Sequence, residues 1–326
     1  MKTLAKNMLL RCCRALPLSA RMLILHELAN NIGGFKAAGD IARRVGLTGF
    51  VAEGDAGVIR GALDDDAALA RYAKYGSWAP RERSLFRSLF AERGGTYLDI
   101  GANIGLTVIP ISQNPQVKCY AFEPDPTNFR HLSENISVNC HAGNVRLLNV
   151  ALFDNNATLP FEIAPRHSGD HRISMIDAEG KLDEHNRKKI WVPAKRLDDV
   201  ITELTEPIAA KIDVQGAEPF VIAGGRNILS QTSLLSLEFW PYSMRRMGGD
   251  IGAVIAFLAQ HFQQGSISPG DKDEQPMWQP IASVATFLHK FSKERNGTDD
   301  YLDVTARKAQ PAPPVIAADD RLRIKN

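Results

Sequence analysis

TYLDIGANIGLTVIPISQNPQVKCYAFEPD, residues 96–125, decides the fold. An apolar run, Tyr97 to Ile100, enters a turn carrying Gly101 and Gly105, and a second run, Val117 to Phe122, ends on Glu123. The order is strand, glycine turn, helix, strand, acid. A nucleoside-containing cofactor needs that arrangement, because glycines let the backbone approach the ligand and the acid takes the ribose hydroxyls. The spacing here is Asp99-x-Gly101-x-Asn103-x-Gly105, short of the full G-x-G-x-x-G of a pyrophosphate site. Asp99, at the end of the first strand, would repel a diphosphate but suits the ammonium group of an amino-acid-bearing cofactor. S-adenosylmethionine (SAM) therefore fits better than NAD. The bland alternative is a glycine turn that only packs a helix on a sheet, and the arrival of Glu123 where a ribose reader belongs weighs against it.

Elements on either side extend the same pattern. Pro124 to Asn139 predicts a helix with Pro126 in its first turn. A third strand is expected at Val145 to Leu152, where Asn149, Val150 and Ala151 would frame an adenine. Residues 154–195 leave the β/α alternation and read as short antiparallel strands around a polar loop containing His167, Ser168, His171 and Arg172. That loop is the expected place for acceptor contacts. Its two histidines lack further clustered ligands, so solvated loop residues are favoured over a metal site. Ile208 to Val214 is a further apolar strand carrying Asp213 at its end, with Gln215, Gly216, Ala217 and Glu218 following and a helix from there to about Leu229. Leu234 to Trp240 is another, carrying Glu238. Both acids fall at the strand edge where open α/β sheets bind ligands, and a buried mid-strand acid is costly without a partner. Helices at Ile251 to Phe262 and around Ala282 to Lys293, with a polar loop Pro269 to Pro280 between them, precede a last strand at Tyr301 to Ala306.

Upstream, residues 1 to about 46 read as helical, and Phe50 to Leu63 as a hairpin around Gly54-Asp55. Two helices, around Ala67 to Lys74 and Arg81 to Arg93, lead into the glycine strand, with Tyr75, Trp78 and Pro80 between them. Arg11, Arg14 and Arg21 interrupt the apolar stretches of the first 30 residues, which predicts neither a signal peptide nor a spanning helix. This basic amphipathic start either packs on the main domain or makes a peripheral membrane contact. A 326-residue chain with 44% hydrophobic residues has ample material for a core, and its net charge of +2 provides no field to recruit nucleic acid. Cys12, Cys13, Cys119 and Cys140 form no CxxC pair and read as reduced thiols in a cytoplasmic protein. The sequons at Asn135, Asn156 and Asn296 read as chance matches.

LDIGANIGLT (98–107), AFEPDPTNFRHLSEN (121–135), NVAL (149–152), RLDDVI (196–201), KIDVQGAEPFVIAGG (211–225) and LLSLEFWP (234–241) follow one another in an order that resembles the FkbM-type SAM-dependent methyltransferases. The resemblance covers roughly residues 75–306. One departure is Gln215, where that family usually carries Glu. The resemblance implies an α/β class I methyltransferase (Rossmann-like) fold: a doubly wound, mainly parallel seven-stranded sheet with one antiparallel strand, here with an N-terminal helical extension. It implies SAM as cofactor and O-methylation of a hydroxyl on a sugar, polysaccharide or secondary metabolite, so the expected partner is a small-molecule or glycan acceptor. The expected division is an extension over 1–50, a hairpin and helical lead-in over 51–95, the methyltransferase domain over 96–307 and a flexible tail over 308–326. Asp99, Gly101, Ala102, Asn103, Gly105, Glu123, Pro124, Asn149, Val150, Ala151 and Asp213 are the expected cofactor contacts. An alcohol is a poor nucleophile, so a base should assist, and Asp213, Glu218 and Glu238 are the candidates. No metal ligand set is assigned.

Two other readings were weighed against this one. An NAD-dependent enzyme would carry the fuller glycine fingerprint and typically a Tyr-x-x-x-Lys pair, whereas Tyr72, Tyr75 and Tyr301 are followed four residues on by Gly76, Ala79 and Thr305. A non-catalytic SAM-binding scaffold with the same fold would tolerate the Gln215 departure.

Overall fold

A computed structural model provides the structure. It describes residues 35–309 apart from 45, 64, 66, 166, 177–179, 181–183, 185–186, 271–273 and 296–297. Most of the expected extension and tail, together with Cys12, Cys13 and the Asn296 sequon, lies outside the described residues.

The chain opens with a helix, Phe35–Arg44, and an antiparallel hairpin, β1 (Phe50–Gly54) and β2 (Gly57–Gly61), that closes between Gly54 and Gly57. Helices Ala68–Tyr75 and Pro80–Phe90 lead to β3 (Gly95–Ile100), all six of whose residues are buried. After it come β4 (Val117–Phe122), β5 (Val145–Leu148), β6 (Ala151–Leu152), β7 (Ala157–Ile163), β8 (Arg172–Ile173), β9 (Lys188–Lys195), β10 (Ile208–Ile212), β11 (Leu234–Phe239), β12 (Gln264–Pro269), β13 (Gln279–Pro280) and β14 (Leu302–Arg307). Among the described residues the main sheet has eight strands, in the order β13-β12-β14-β11-β10-β3-β4-β5. Pairings from β5 through β11 are parallel, and β14 runs antiparallel to both its neighbours, β11 and β12. This is the arrangement expected of a class I methyltransferase, with one difference: two-residue β13 adds an eighth strand at the edge beyond β12.

Alternation along the central strands divides the core between the two faces. Leu98, Ile100, Tyr120, Phe122, Ala210 and Ile212 pack on one side, while Tyr97, Cys119, Ala121 and Ala209 pack on the other. Asp125 caps the helix Pro126–Asn139, accepting from the N–H groups of Thr127 at 2.9 Å and Asn128 at 2.7 Å, and Pro126 occupies the first helical turn where no N–H is needed. The same helix clamps the hairpin. Asn135 accepts from Arg60 N–H at 2.8 Å and donates to the Arg60 carbonyl at 3.0 Å, and Asn139 does the same for Val58 at 3.0 and 2.9 Å. Asn135 is fully buried, so its sequon is inaccessible in the folded chain.

Three expectations change in detail. The strand expected over Val145 to Leu152 is broken: β5 pairs with β4 in the main sheet, whereas β6 pairs with β9 in a second, four-stranded sheet. The break falls at Asn149, whose side-chain N–H groups donate to the carbonyls of Glu123 and Pro124 at 2.8 and 3.1 Å and so pin the chain there. The helix after Asp213 is also interrupted, running Glu218–Gly224 and then Arg226–Leu229 around Gly225. Finally, the loop before the helix Ile281–Glu294 is preceded by β12, whose sequence QGSISP has a single large apolar residue and little strand signal. Among the described residues no helix is long and apolar enough to cross a membrane.

Candidate functional site

The parallel strands deliver their carboxyl ends to one edge, and a cavity of about 550 Å³ opens there, within the roughly 300–1,000 Å³ usual for small-molecule sites. Gly101, Ala102 and Asn103 form one wall, Glu123 and Pro124 the next, and Val150 to Leu152 the third. Gly101 and Asn103 both take positive φ, +88° and +50°. Gly101 is required first by its protein neighbours, since a Cβ there would stand 1.9 Å from the Asp213 carbonyl oxygen. Its lack of a side chain lets the turn after β3 lie against the exit of β10. The turn is tied to the next strand as well: the Glu123 carboxylate accepts from the N–H of Asn103 and of Asp125, each at 2.8 Å. Burial pushes the Glu123 carboxyl up to about 8, against the lowering effect of those two bonds.

At the far end of the cavity stand Lys211, Asp213, Gln215, Glu238, Trp240 and Tyr301. Asp213 accepts from the Lys211 ammonium at 2.7 Å and from the Gln215 side-chain amide at 2.8 Å. That same amide nitrogen donates to Glu238 at 3.0 Å. Burial would pull Lys211 down, but the carboxylates of Asp213, Glu82 and Asp99 outweigh it and hold the ammonium well charged. Burial, reinforced by Asp213 and Glu218, raises Glu238 well above the usual carboxylate range.

The expected residues do not all meet in this cavity. Gly101, Ala102, Asn103, Glu123, Pro124, Val150, Ala151, Asp213 and Glu238 line it. Asp99, Gly105, Asn149 and Glu218 stand behind the wall. Asp99 is buried beside Lys211 on the neighbouring strand, and burial lifts its carboxyl to about 7. A Cβ on Gly105 would meet Leu132 at 2.9 Å, so that glycine serves helix packing. Glu218 is fully buried and accepts from the N–H groups of Val214 at 3.1 Å and Gly216 at 3.0 Å, folding the loop after β10 onto the helix Glu218–Gly224.

The polar loop, the expected place for acceptor contacts, reaches the cavity, and with it the histidines expected to be solvated. The short turn Ser168–Asp170 and His171 line it, and Asn128 secures the turn by donating to the Ser168 carbonyl at 3.0 Å. His171 is pulled below its ordinary value by burial. Its Nδ1 accepts from Ala164 N–H at 3.1 Å, so the neutral ring carries its proton on Nε2. Sequence reasoning also missed Trp240 and Tyr301, which follow the β11 acid and precede β14; the aromatic next to Glu238 was the available signal. A second cavity of about 390 Å³ adjoins the first, and both are lined by Arg71, Trp78, Lys211, Asp213, Glu238 and Tyr301.

The lining fits SAM. Apolar Ile100, Phe122, Val150, Ala151 and Leu152 offer a slot for a base, beside the buried Glu123 carboxyl that a ribose diol can meet. Three lining groups have no hydrogen-bond partner among the described residues although their atoms are buried: Asn103 Oδ1, Ser168 Oγ and Trp240 Nε1. Buried polar atoms are normally satisfied, so these await a ligand or water.

Known proteins share this sequence pattern. The 2-O-methyltransferase NoeI of Sinorhizobium fredii is 31% identical over 166 residues, covering 47% of this chain and 66% of NoeI. The hexuronic acid methyltransferase AglP of Haloferax volcanii is 28% identical over 162 residues, covering 48% of this chain and 62% of AglP. The chain thus spans somewhat less than two thirds of these relatives. Among solved structures, methyltransferase FkbM from Methylobacillus flagellatus is similar with a TM-score of 0.38 at 14% identity, covering 65% of this chain and 44% of that one. The family described as the methyltransferase FkbM domain matches residues 99–265, from the end of β3 into β12 and just over half of the chain. With that span, which contains the glycine turn, Glu123, Asp213 and Glu238 in order, the chain belongs to the FkbM methyltransferase family.

Proposed function

We propose that this protein transfers a methyl group from SAM to a hydroxyl of a sugar, polysaccharide or secondary metabolite. The observation that carries this reading is one continuous cavity with Glu123 and the glycine turn at one end and the Asp213–Glu238 pair at the other. SAM supplies an electrophilic methyl group. Glu123 accepts the ribose hydroxyls, Asn103 Oδ1 takes a further ligand donor, and the apolar slot holds the base. Asp213, ion-paired to Lys211, is the proposed general base for the acceptor hydroxyl, with Glu238 as its neighbour across the Gln215 amide. Most of the rate comes from holding nucleophile and methyl in line. Glu218 is assigned to holding the loop, because it is fully buried behind the cavity wall, with its oxygens on backbone N–H groups, whereas Asp213 lines the cavity.

The acceptor enters through the second cavity, which reaches Lys211, Asp213 and Glu238 and is lined by Ser236, Ser266, Ser268 and Thr305 together with Tyr75 and Trp78. Hydroxyls beside aromatic faces suit a polyhydroxylated acceptor. The relatives named for 2-O-methylation and for hexuronic acid methylation support a sugar. Residues 96–307 form the proposed catalytic domain, nucleic acid is not among the proposed partners, and the free thiols of Cys119 and Cys140 support a cytoplasmic setting.

Calorimetric titration with SAM and, separately, NAD tests the cofactor, followed by transfer of labelled methyl to a panel of glycans. SAM alone is expected to bind. Asp213→Asn is expected to lower turnover by about 10²-fold or more while leaving SAM affinity within about threefold. Binding of NAD alone, or of neither, overturns the proposal.

A further inference from the structure

We infer that Gln215 is a positioning residue whose side-chain amide occupies the place of a cation between Asp213 and Glu238, so that the acid pair functions without a divalent metal. Its role in turnover rests on the methyltransferase reading; the occupancy of that place does not.

Two acids from neighbouring strands, Asp213 after β10 and Glu238 on β11, face a single amide nitrogen at 2.8 and 3.0 Å. Both facing atoms are carboxyl oxygens, and the atom between them is the Gln215 amide nitrogen, which has two hydrogens to give. The pairing therefore uses the whole donor capacity of the amide. Such a bridge is what a hard cation does in an acidic cleft, where oxygen ligands converge on one positive centre. Here the positive centre is a fixed dipole, and the remaining charge is balanced by Lys211 on the other Asp213 oxygen, at 2.7 Å.

The backbone is shaped to place that amide. Gln215 sits at φ +57°, a left-handed conformation uncommon for a residue with a side chain. Its carbonyl is held by the Ser243 hydroxyl at 2.6 Å, and Glu218 secures the N–H groups on either side, at Val214 and Gly216. Adjacent Gly216, at φ +108°, could bear no Cβ, which would lie 2.3 Å from Ser243 Oγ. Three separate anchors thus fix the loop that aims one amide at two acids. Among the described residues, no three metal-ligating carboxylate, histidine or cysteine side chains gather as a cation site. Glutamate at position 215 would complete such a group at this point.

The test uses Mn²⁺ as probe, followed by electron paramagnetic resonance of the free ion, with the full-length wild type, Asp213→Asn, Gln215→Glu and the double variant Gln215→Glu/Asp213→Asn. Circular dichroism establishes that each is folded. The wild type is expected to show no saturable Mn²⁺ binding up to about 1 mM and the same turnover with and without EDTA. Gln215→Glu is expected to acquire one site per chain, with a dissociation constant on the order of 10⁻⁴ M, that the double variant loses. Saturable binding to the wild type that Asp213→Asn abolishes would overturn the inference, as would a folded Gln215→Glu that gains no site. Because Mn²⁺ binding is read without SAM or acceptor, a failure here is distinguishable from a failure of the methyltransferase reading, which SAM calorimetry reports.

Discussion

Glu123→Gln removes an ionisable group and one acceptor from the cofactor end without changing its shape. In the native chain each carboxylate oxygen accepts one backbone N–H, from Asn103 and from Asp125, at 2.8 Å. Glutamine has one oxygen for these two donors, so its NH₂ must turn against the other. One buried N–H is left unpaired, at a cost of about 1–3 kcal/mol. For a chain of this size that lowers Tm by about 2–6 °C. The effect on the cofactor is larger: losing the ionic acceptor for the ribose diol costs about 1.5–3 kcal/mol, or roughly tenfold to a hundredfold in SAM affinity. Protons provide an independent readout. Burial holds the Glu123 carboxyl near 8, so it is largely protonated at pH 7, and a diol that donates to it favours the ionised form. SAM binding to the wild type should therefore release up to one proton at pH 7, measured by calorimetry in buffers of differing ionisation enthalpy. The glutamine variant should show no such release. If Tm falls but SAM affinity stays within about threefold and the proton release persists, Glu123 only ties down the Asn103 turn and the ribose assignment is wrong.

The buried acids set the sign of the pH dependence of stability. Asp99, Glu123 and Glu218 rise to about 7, 8 and 7 on folding, chiefly through burial, so the native state binds more protons than the unfolded chain. Their contribution is complete below the ordinary carboxylate range near 4 and is lost as pH climbs through 7–8; Tm of the unliganded protein should fall between pH 5 and pH 9, and a rise over that interval would contradict the burial of these groups. Gly101→Ala would force a Cβ to within 1.9 Å of the Asp213 carbonyl at φ +88°, and a loss of about 2–5 kcal/mol is expected by chemical denaturation. A loss under about 1 kcal/mol would mean that the turn and the exit of β10 separate easily.

What could be read from the sequence was what repeats locally. Tyr97 to Ile100 and Val117 to Phe122 declare buried parallel strands by apolar continuity, Asp125-Pro126 announces a capped helix, and acids at strand ends can be counted from one motif to the next. Glu123 and Asp213 reach one cavity because a parallel sheet brings its carboxyl ends together, a property of topology that the strand pattern already implies. Residues whose role depends on a neighbour distant in sequence were not legible. Gly105 looks like a ligand-facing glycine until Leu132 is seen against it, and Glu218 looks like a base until the Val214 and Gly216 N–H groups are seen to occupy it. His171 appeared solvated because nothing nearby in sequence shows that Asn128 draws its loop over the cavity. β12 was hidden for a different reason: its partner β14 supplies the order that QGSISP does not encode by propensity.

β14 also bears on how the molecule comes into being. It lies inside the sheet, between β11 and β12, although among the described strands it is the last in chain order. Until Leu302–Arg307 has left the ribosome, β11 presents an unpaired edge, and β12 lacks the neighbour along which all six of its residues are registered. The half of the sheet that carries Glu238 is therefore completed only once residues up to Arg307 are available, from contacts far apart along the chain. A fragment ending at residue 265, where the family match stops, would keep the glycine turn and both acids and yet expose that edge as a template for aggregation.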